Sequence, residues 1–197
     1  MRNVFKKGTC RRIIFFLPGI AILLMVSLAF IPAAFAATAS EIDRDAAVAL
    51  DKLYARSPAA QSLAKDAVAV LVFPNIIKGG LIVGGQYGEG ALLQNGKNAG
   101  YYKSVAASYG LQAGAQTFGY ALFFMNKSAL SYLQKSKGWE IGVGPTIVIM
   151  DEKMAAAKSL TTTTGKSDIY AFFFSQKGLM AGLGLQGTKM TRFYPKN

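Results

Sequence analysis

The sequence predicts an α+β fold: a glycine-rich, curled antiparallel sheet or barrel-like core with a few short flanking helices. Three observations carry that expectation. Eleven of the 21 glycines lie between Gly79 and Gly119, interleaved with apolar and aromatic residues, whereas a flexible linker would mix glycine with Ser and Pro. Glycine inside strands marks bulges, sharp curvature or a close backbone approach. Helical periodicity is confined to two short stretches after residue 40 and one after Asn126, while the other apolar runs are short or alternating and are bounded by turn residues.

The chain opens with Arg2, Lys6, Lys7, Arg11 and Arg12 and no acid, followed by an uncharged, mostly apolar run from Ile13 to Ala36. A basic start, an apolar middle and Ala34-Phe35-Ala36 before Ala37 have the form of a secretory signal, so residues 1–36 are expected to be a signal peptide cleaved after Ala36. The alternative is an uncleaved inner-membrane anchor over residues 13–36, which is long enough to span a bilayer; Pro18-Gly19 and Pro32 interrupt it. Arg11-Arg12 also bears a faint likeness to a twin-arginine signal. Export to the periplasm or envelope follows from either route. The one cysteine, Cys10, lies ahead of the apolar run, so residues 37–197 fold without disulfides. That length suits a single domain.

Within 37–197 a helical lead-in spans 41–66. Ile42, Ala46, Leu50, Leu53 and Tyr54 recur every three or four residues, with Ser40 as the expected cap, and Ser57-Pro58 starts a second helix toward Lys65. Ala67–Phe73 is a buried strand stopped by Pro74-Asn75. Leu81–Val83 and Gln86–Leu93 are strand pieces, Asn95-Gly96 is a hairpin turn, and Tyr101–Ser108 and Leu111–Phe124 complete an antiparallel meander. Asn126 caps a helix over Lys127–Lys135, with Gly138 beyond its end. Trp139–Ile149, Asp168–Phe174 and Leu179–Met190 are further strands, the last two joined by a tight turn at Ser175–Gly178, and Met154–Lys166 is a helical turn followed by a threonine-rich loop.

Several chemistries are excluded by composition. The chain has no histidine, and residues 37–197 have no cysteine, which removes serine–histidine and cysteine–histidine catalysis, histidine-based metal sites and thiol redox chemistry. Gly182-Leu183-Gly184-Leu185-Gln186-Gly187 fits a dinucleotide fingerprint by spacing, but only ten residues follow it, too few for the helix and acid such a site needs. Gly165-Lys166-Ser167 ends like a phosphate loop but has Leu160 where the first glycine belongs. Asp151-Glu152 belong to a strand exit. Glu89, set between Gly88 and Gly90, is a ligand contact or a structural acid. No enzyme activity, cofactor or metal is expected.

Charge points to anionic partners. The formal net charge of +12 falls to +7 once the five basic residues of the leader are removed, favouring a phospholipid surface. The lysines are spaced singly rather than clustered, and export argues against nucleic acid. Phe73-Pro74-Asn75-Ile76-Ile77-Lys78-Gly79-Gly80 is expected to form a tip between strands, with Ile76 and Ile77 dipping into a membrane interface while Lys78 meets a phosphate; the alternative is burial of both isoleucines in the core. Lys65, Lys103, Lys189 and Arg192 are the other candidate lipid contacts.

Five ordered motifs carry a family resemblance: Gly79-Gly80 with Gly84-Gly85-Gln86-Tyr87-Gly88-Glu89-Gly90, then Tyr109–Gln116, Phe124–Leu130, Gly142-Val143-Gly144-Pro145, and Ser175–Leu179 with Gly182. From about Leu63 to Tyr194 the chain resembles the SYLF domain, a family of lipid-binding domains in eukaryotic endocytic and actin-patch proteins and in exported bacterial proteins. The resemblance implies a curled β architecture, phosphoinositide-type lipid binding and, for some members, actin binding. The resulting expectation is an exported, non-enzymatic, anionic-phospholipid-binding protein of the bacterial envelope. The alternative is a structural or partner-binding envelope protein that uses its sheet edges.

Overall fold

The computed structural model describes residues 37–80, 83–109, 114–141, 143–151, 167–178 and 187–196. They belong to one compact unit, Ala37–Asn197. Three helices, α1 (Ala39–Arg56), α2 (Pro58–Asp66) and α3 (Lys127–Lys135), accompany eight strands: β1 (Ala69–Gly80), β2 (Val83–Gln94), β3 (Lys97–Tyr109), β4 (Gly114–Phe124), β5 (Trp139–Glu140), β6 (Ile147–Asp151), β7 (Ile169–Gly178) and β8 (Lys189–Phe193). The strands form one sheet in the order β5-β8-β3-β2-β1-β4-β7-β6, curled into a half-barrel. The α+β class and the curled sheet are as the sequence predicts.

Local signals set the helices. Thr38, two residues earlier than the expected Ser40, caps α1: its hydroxyl accepts from the Glu41 N–H while Glu41 Oε2 accepts from the Thr38 N–H at 2.8 Å. This reciprocal pair satisfies two otherwise orphaned donors, and the bond from the Thr38 backbone holds the Glu41 carboxyl below its ordinary range. Ser57 caps α2 with Pro58 at its first position, and Asn126 caps α3, both as expected.

Strand order departs from the expected meander. β1 pairs with both β2 and β4, so β4 lies beside β1 rather than β3, the Greek-key arrangement 4-1-2-3. The expected strand Trp139–Ile149 is two strands on opposite edges, β5 against β8 and β6 parallel to β7, so the sheet is mixed. The expected tight turn at Ser175–Gly178 is instead strand: β7 continues to Gly178 through Ser175, which has φ 55°, and β8 pairs with β3 and β5. Met154–Lys166 and most of Leu179–Met190 lie outside the described residues.

Pro74-Asn75 does not stop β1. Between Val72 and Asn75 the register against β2 shifts, and against β4 it shifts between Phe73 and Ile76. A proline lacks the N–H a ladder needs and is tolerated at such a bulge. The bulge presses on its neighbours. A Cβ on Gly90 would fall 2.2 Å from the Val72 carbonyl oxygen and 2.7 Å from the Phe73 ring, and one on Gly88 2.3 Å from Ile76 Cδ1. Only glycine fits there, which is the close backbone approach that the glycine pattern predicts.

Each face of the sheet carries its own core. On the α3 face, Phe73, Ile76, Phe118, Tyr120, Phe124 and Phe173 pack with Leu130 and Leu133 of α3 and with Trp139. On the α1 face, Val70, Val72, Ala121, Phe123 and Phe172 pack beneath Ile42, Ala46, Leu50 and Leu53 of α1 and Leu63 of α2. The helical lead-in is therefore packed on the sheet.

Candidate functional site

The bulge changes which residues of β1 face which core. Before it, Ala69, Leu71 and Phe73 point to the α3 face; after it, Ile76 does, and Ile77 points to the α1 face. There the helical cover has ended. A cleft lined by Asp45, Val48 and Lys52 of α1 with Pro74, Asn75, Phe174 and Ser175 marks its limit.

Past that limit one row of directly paired residues crosses five strands: Lys189 of β8, Val105 of β3, Tyr87 of β2, Ile77 of β1 and Thr117 of β4, with Lys177 of β7 beyond. Paired residues in a ladder share a face. Ile77 is 59% exposed, Val105 46% and Tyr87 45%, and Val83, further along the same face of β2, is 67% exposed. Single exposed apolar residues are ordinary, but a contiguous group marks an interaction surface. Small residues, Gly79, Gly85, Ala107 and Ala115, continue the row's surface toward the strand ends. The result is an apolar strip with a lysine at each end.

The neighbouring row holds the charges that border this strip. Glu89 pairs with Lys103 and Asn75 across the ladder, and its Oε1 accepts from the Tyr87 hydroxyl at 2.6 Å. Burial first, and then that bond to a carboxylate, push the Tyr87 phenol well above its ordinary range, so it stays neutral and keeps donating. The Lys103 ammonium sits 4.6 Å over the Phe193 ring, a cation–π contact. Glu140 stands opposite Lys189. Glu89 thus contacts a phenol and borders a lysine, an arrangement that fixes side chains rather than one that pairs two acids for proton transfer.

The sequence-predicted residues divide accordingly. Ile77, Lys103, Lys189 and Glu89 come together on the α1 face. Ile76 does not: it is 0% exposed, because the expected tip is a continuous strand whose bulge turns Ile76 into the α3-face core. Lys78 follows Ile76 onto that face and is half-buried. Arg192, paired with Tyr102, also lies on the α3 face, donating to the Ala99 carbonyl at 3.2 Å. Lys65 is exposed on the last turn of α2, near the start of β1 and roughly 26 Å of extended strand from Ile77. Sequence reasoning missed Tyr87, Val105, Val83 and Lys177. Their signal was alternation: Val83, Gly85, Tyr87 and Glu89 occupy one phase of β2, and Gln86, Gly88, Gly90 and Leu92 the other.

A bulged, glycine-bared Greek-key sheet with a partly covered face defines a small α+β domain. The family model described as Ysc84, Las17-binding protein actin regulator, matches residues 105–197. Over that segment the chain is similar to this family, the SYLF domain, a family of lipid- and actin-patch-type domains that is generally non-enzymatic. None of the curated proteins matches the chain. The matched segment contains Val105, Lys177 and Lys189; Ile77, Val83 and Tyr87 precede it.

Proposed function

We propose that this protein is exported and binds anionic phospholipid membranes at the envelope through the uncovered end of its α1 face, without catalysing a reaction. The observation that carries the reading is the row Lys189-Val105-Tyr87-Ile77-Thr117-Lys177, apolar at its centre and cationic at both ends. Such a strip fits a bilayer interface, where aliphatic side chains enter the acyl boundary and lysine stems reach back to phosphates. Burying a side chain such as Ile77 fully contributes about 1.5–3 kcal/mol, and each lysine near an anionic surface about 1 kcal/mol. Neither contribution suffices for stable attachment alone, so binding is reversible and sensitive to salt and to lipid charge. The leader, with its small-x-small exit at Ala34-Phe35-Ala36, supports export and cleavage after Ala36. The actin regulation in the family's description belongs to the family; the exposed strip supports membrane attachment here.

The test is sedimentation of the protein, as the cell matures it, with vesicles of phosphatidylcholine alone or mixed with phosphatidylglycerol. Binding is expected only to the anionic vesicles and is expected to weaken progressively with added salt. Equal sedimentation with neutral vesicles, or none with either, overturns the reading.

A further inference from the structure

We propose that the cleft between α1 and the bulged strands β1 and β7 is a second binding site, which takes a short peptide, about three residues long, with both of its termini free. The site goes beyond the membrane strip: it lies where the helical cover ends, and it matches a dipolar ligand rather than an anionic surface.

Two bulges shape the sheet wall of the cleft. Pro74 and Asn75 of β1 have no partner on β4, and neither do Ser175 and Gln176 of β7, because the register slips on both flanks of β4 near Gly119. Between the bulges the Phe174 ring lies against Gly119, where a Cβ would fall 2.2 Å from it. Bulges re-aim side chains and are frequent beside sites. Ser175 also has φ 55°, a conformation uncommon for a residue with a side chain and concentrated where ligands are held. Asn75 and Ser175 are exposed, and neither side chain has a hydrogen bond among the described residues. An amide and a hydroxyl can each donate to a peptide carbonyl and accept from a peptide N–H.

The helix supplies the opposite wall. Asp45, Val48, Ala49 and Lys52 recur at spacings of three and four, so the cleft follows α1 for two turns. Its middle is apolar, where Val48, 45% exposed, joins Pro74 and the Phe174 ring. Its ends carry opposite charge. Asp45 Oδ1 accepts from Arg44, which leaves Oδ2 without a partner among the described residues, and Lys52 has no ion pair among them. Seven residues of helix separate the two by about 10.5 Å, a distance that about three residues of extended peptide cover. A terminal ammonium at Asp45 and a terminal carboxylate at Lys52 complete the match. The cleft measures about 220 Å³, below the roughly 300–1,000 Å³ that encloses a drug-sized molecule, which suits a ligand of this size.

The experiment is calorimetric titration of the protein, as the cell matures it, with the tripeptide Ala-Leu-Ala, its N-acetyl form and its C-terminal amide, repeated on Asp45→Asn and Lys52→Gln. The free tripeptide is expected to bind the native protein saturably, and blocking either end is expected to weaken it at least tenfold. The variants assign the ends: Asp45→Asn is expected to lose its sensitivity to N-acetylation and keep its sensitivity to amidation, and Lys52→Gln the reverse. Both residues are exposed, so both variants are expected to melt with the native protein. Asp45→Asn is also expected to sediment with anionic vesicles as the native protein does, and Ile77→Asp to bind the tripeptide unchanged, so failure of the membrane strip is distinguishable from failure here. No saturable binding of the free tripeptide, or penalties for blocked ends that are the same in both variants as in the native protein, overturns the proposal.

Discussion

The two halves of β1 both carry large aliphatic residues and end in opposite situations. Ala69, Val70, Leu71, Val72 and Phe73 are all buried, covered on one face by α1 and α2 and on the other by α3 and the aromatic core. After the bulge only Ile76 is buried, and Ile77 stands in the open beside Tyr87 and Val105. Apolar composition did not separate core from surface. Cover did: α1 ends its contact at the bulge, and the strand runs on without it. The first half is scaffold and the second half is working surface, in one continuous hydrogen-bonded ladder.

Mutations that respect this contrast should behave differently on its two sides. Phe73→Ala, in the covered half, is expected to lose about 3–5 kcal/mol of stability by denaturant titration; a loss below 1 kcal/mol would show that the aromatic core is not where the stability resides. Gly90→Ala, at the bulge itself, forces a methyl against the Val72 carbonyl and is expected to destabilise by about 1–3 kcal/mol. Ile77→Asp, in the open half, is expected to change stability by no more than about 0.5 kcal/mol while reducing sedimentation with anionic vesicles roughly tenfold or more, as loss of one buried aliphatic group requires. If it destabilises like Phe73→Ala, the two halves are not distinct.

The smallest expected effect is acid dependence. Asp168 accepts from the Thr146 N–H at 2.9 Å, the Thr146 hydroxyl at 2.8 Å and Asn126 Nδ2 at 2.7 Å. The Thr146 backbone bond first, then the two side-chain bonds, hold its carboxyl below the ordinary 3.8. A depressed carboxyl contributes stability that is present above the unfolded value and lost as pH falls through the lower folded one. Melting temperature should therefore fall below about pH 4 more steeply in the native protein than in Asp168→Asn. Identical slopes would remove Asp168 from the account.

Much of the fold was legible because its signals are local. Ser57-Pro58 and Asn126 announce helices that form where expected, and the Asn95-Gly96 turn, with φ of 51° and 73°, forms the expected hairpin. Thr38 displaced Ser40 as a cap because Glu41 lies three residues after Thr38, the spacing at which both can bond reciprocally. Strand order was less legible. The meander and the final hairpin assume that consecutive strands pair, and nothing in residues 97–124 or 169–193 encodes that β4 crosses to β1 or that β8 joins β3.

The candidate site shows the same division. The sequence by itself determined that the chemistry would be non-histidine, non-thiol and cationic, that glycine would bring backbones together, and where the helices begin, because composition, capping and turn geometry act over a few residues. Only the tertiary structure decided that Ile76 is core and Ile77 surface, and that Lys78 stands between Gln86 and Gln116. Side chains alternate with a period of two along a strand, so the extra residue at Pro74-Asn75 reverses every later assignment. Whether that residue is looped out or accommodated in the ladder depends on Gly90, which faces it from β2 and leaves room for the Val72 carbonyl and the Phe73 ring.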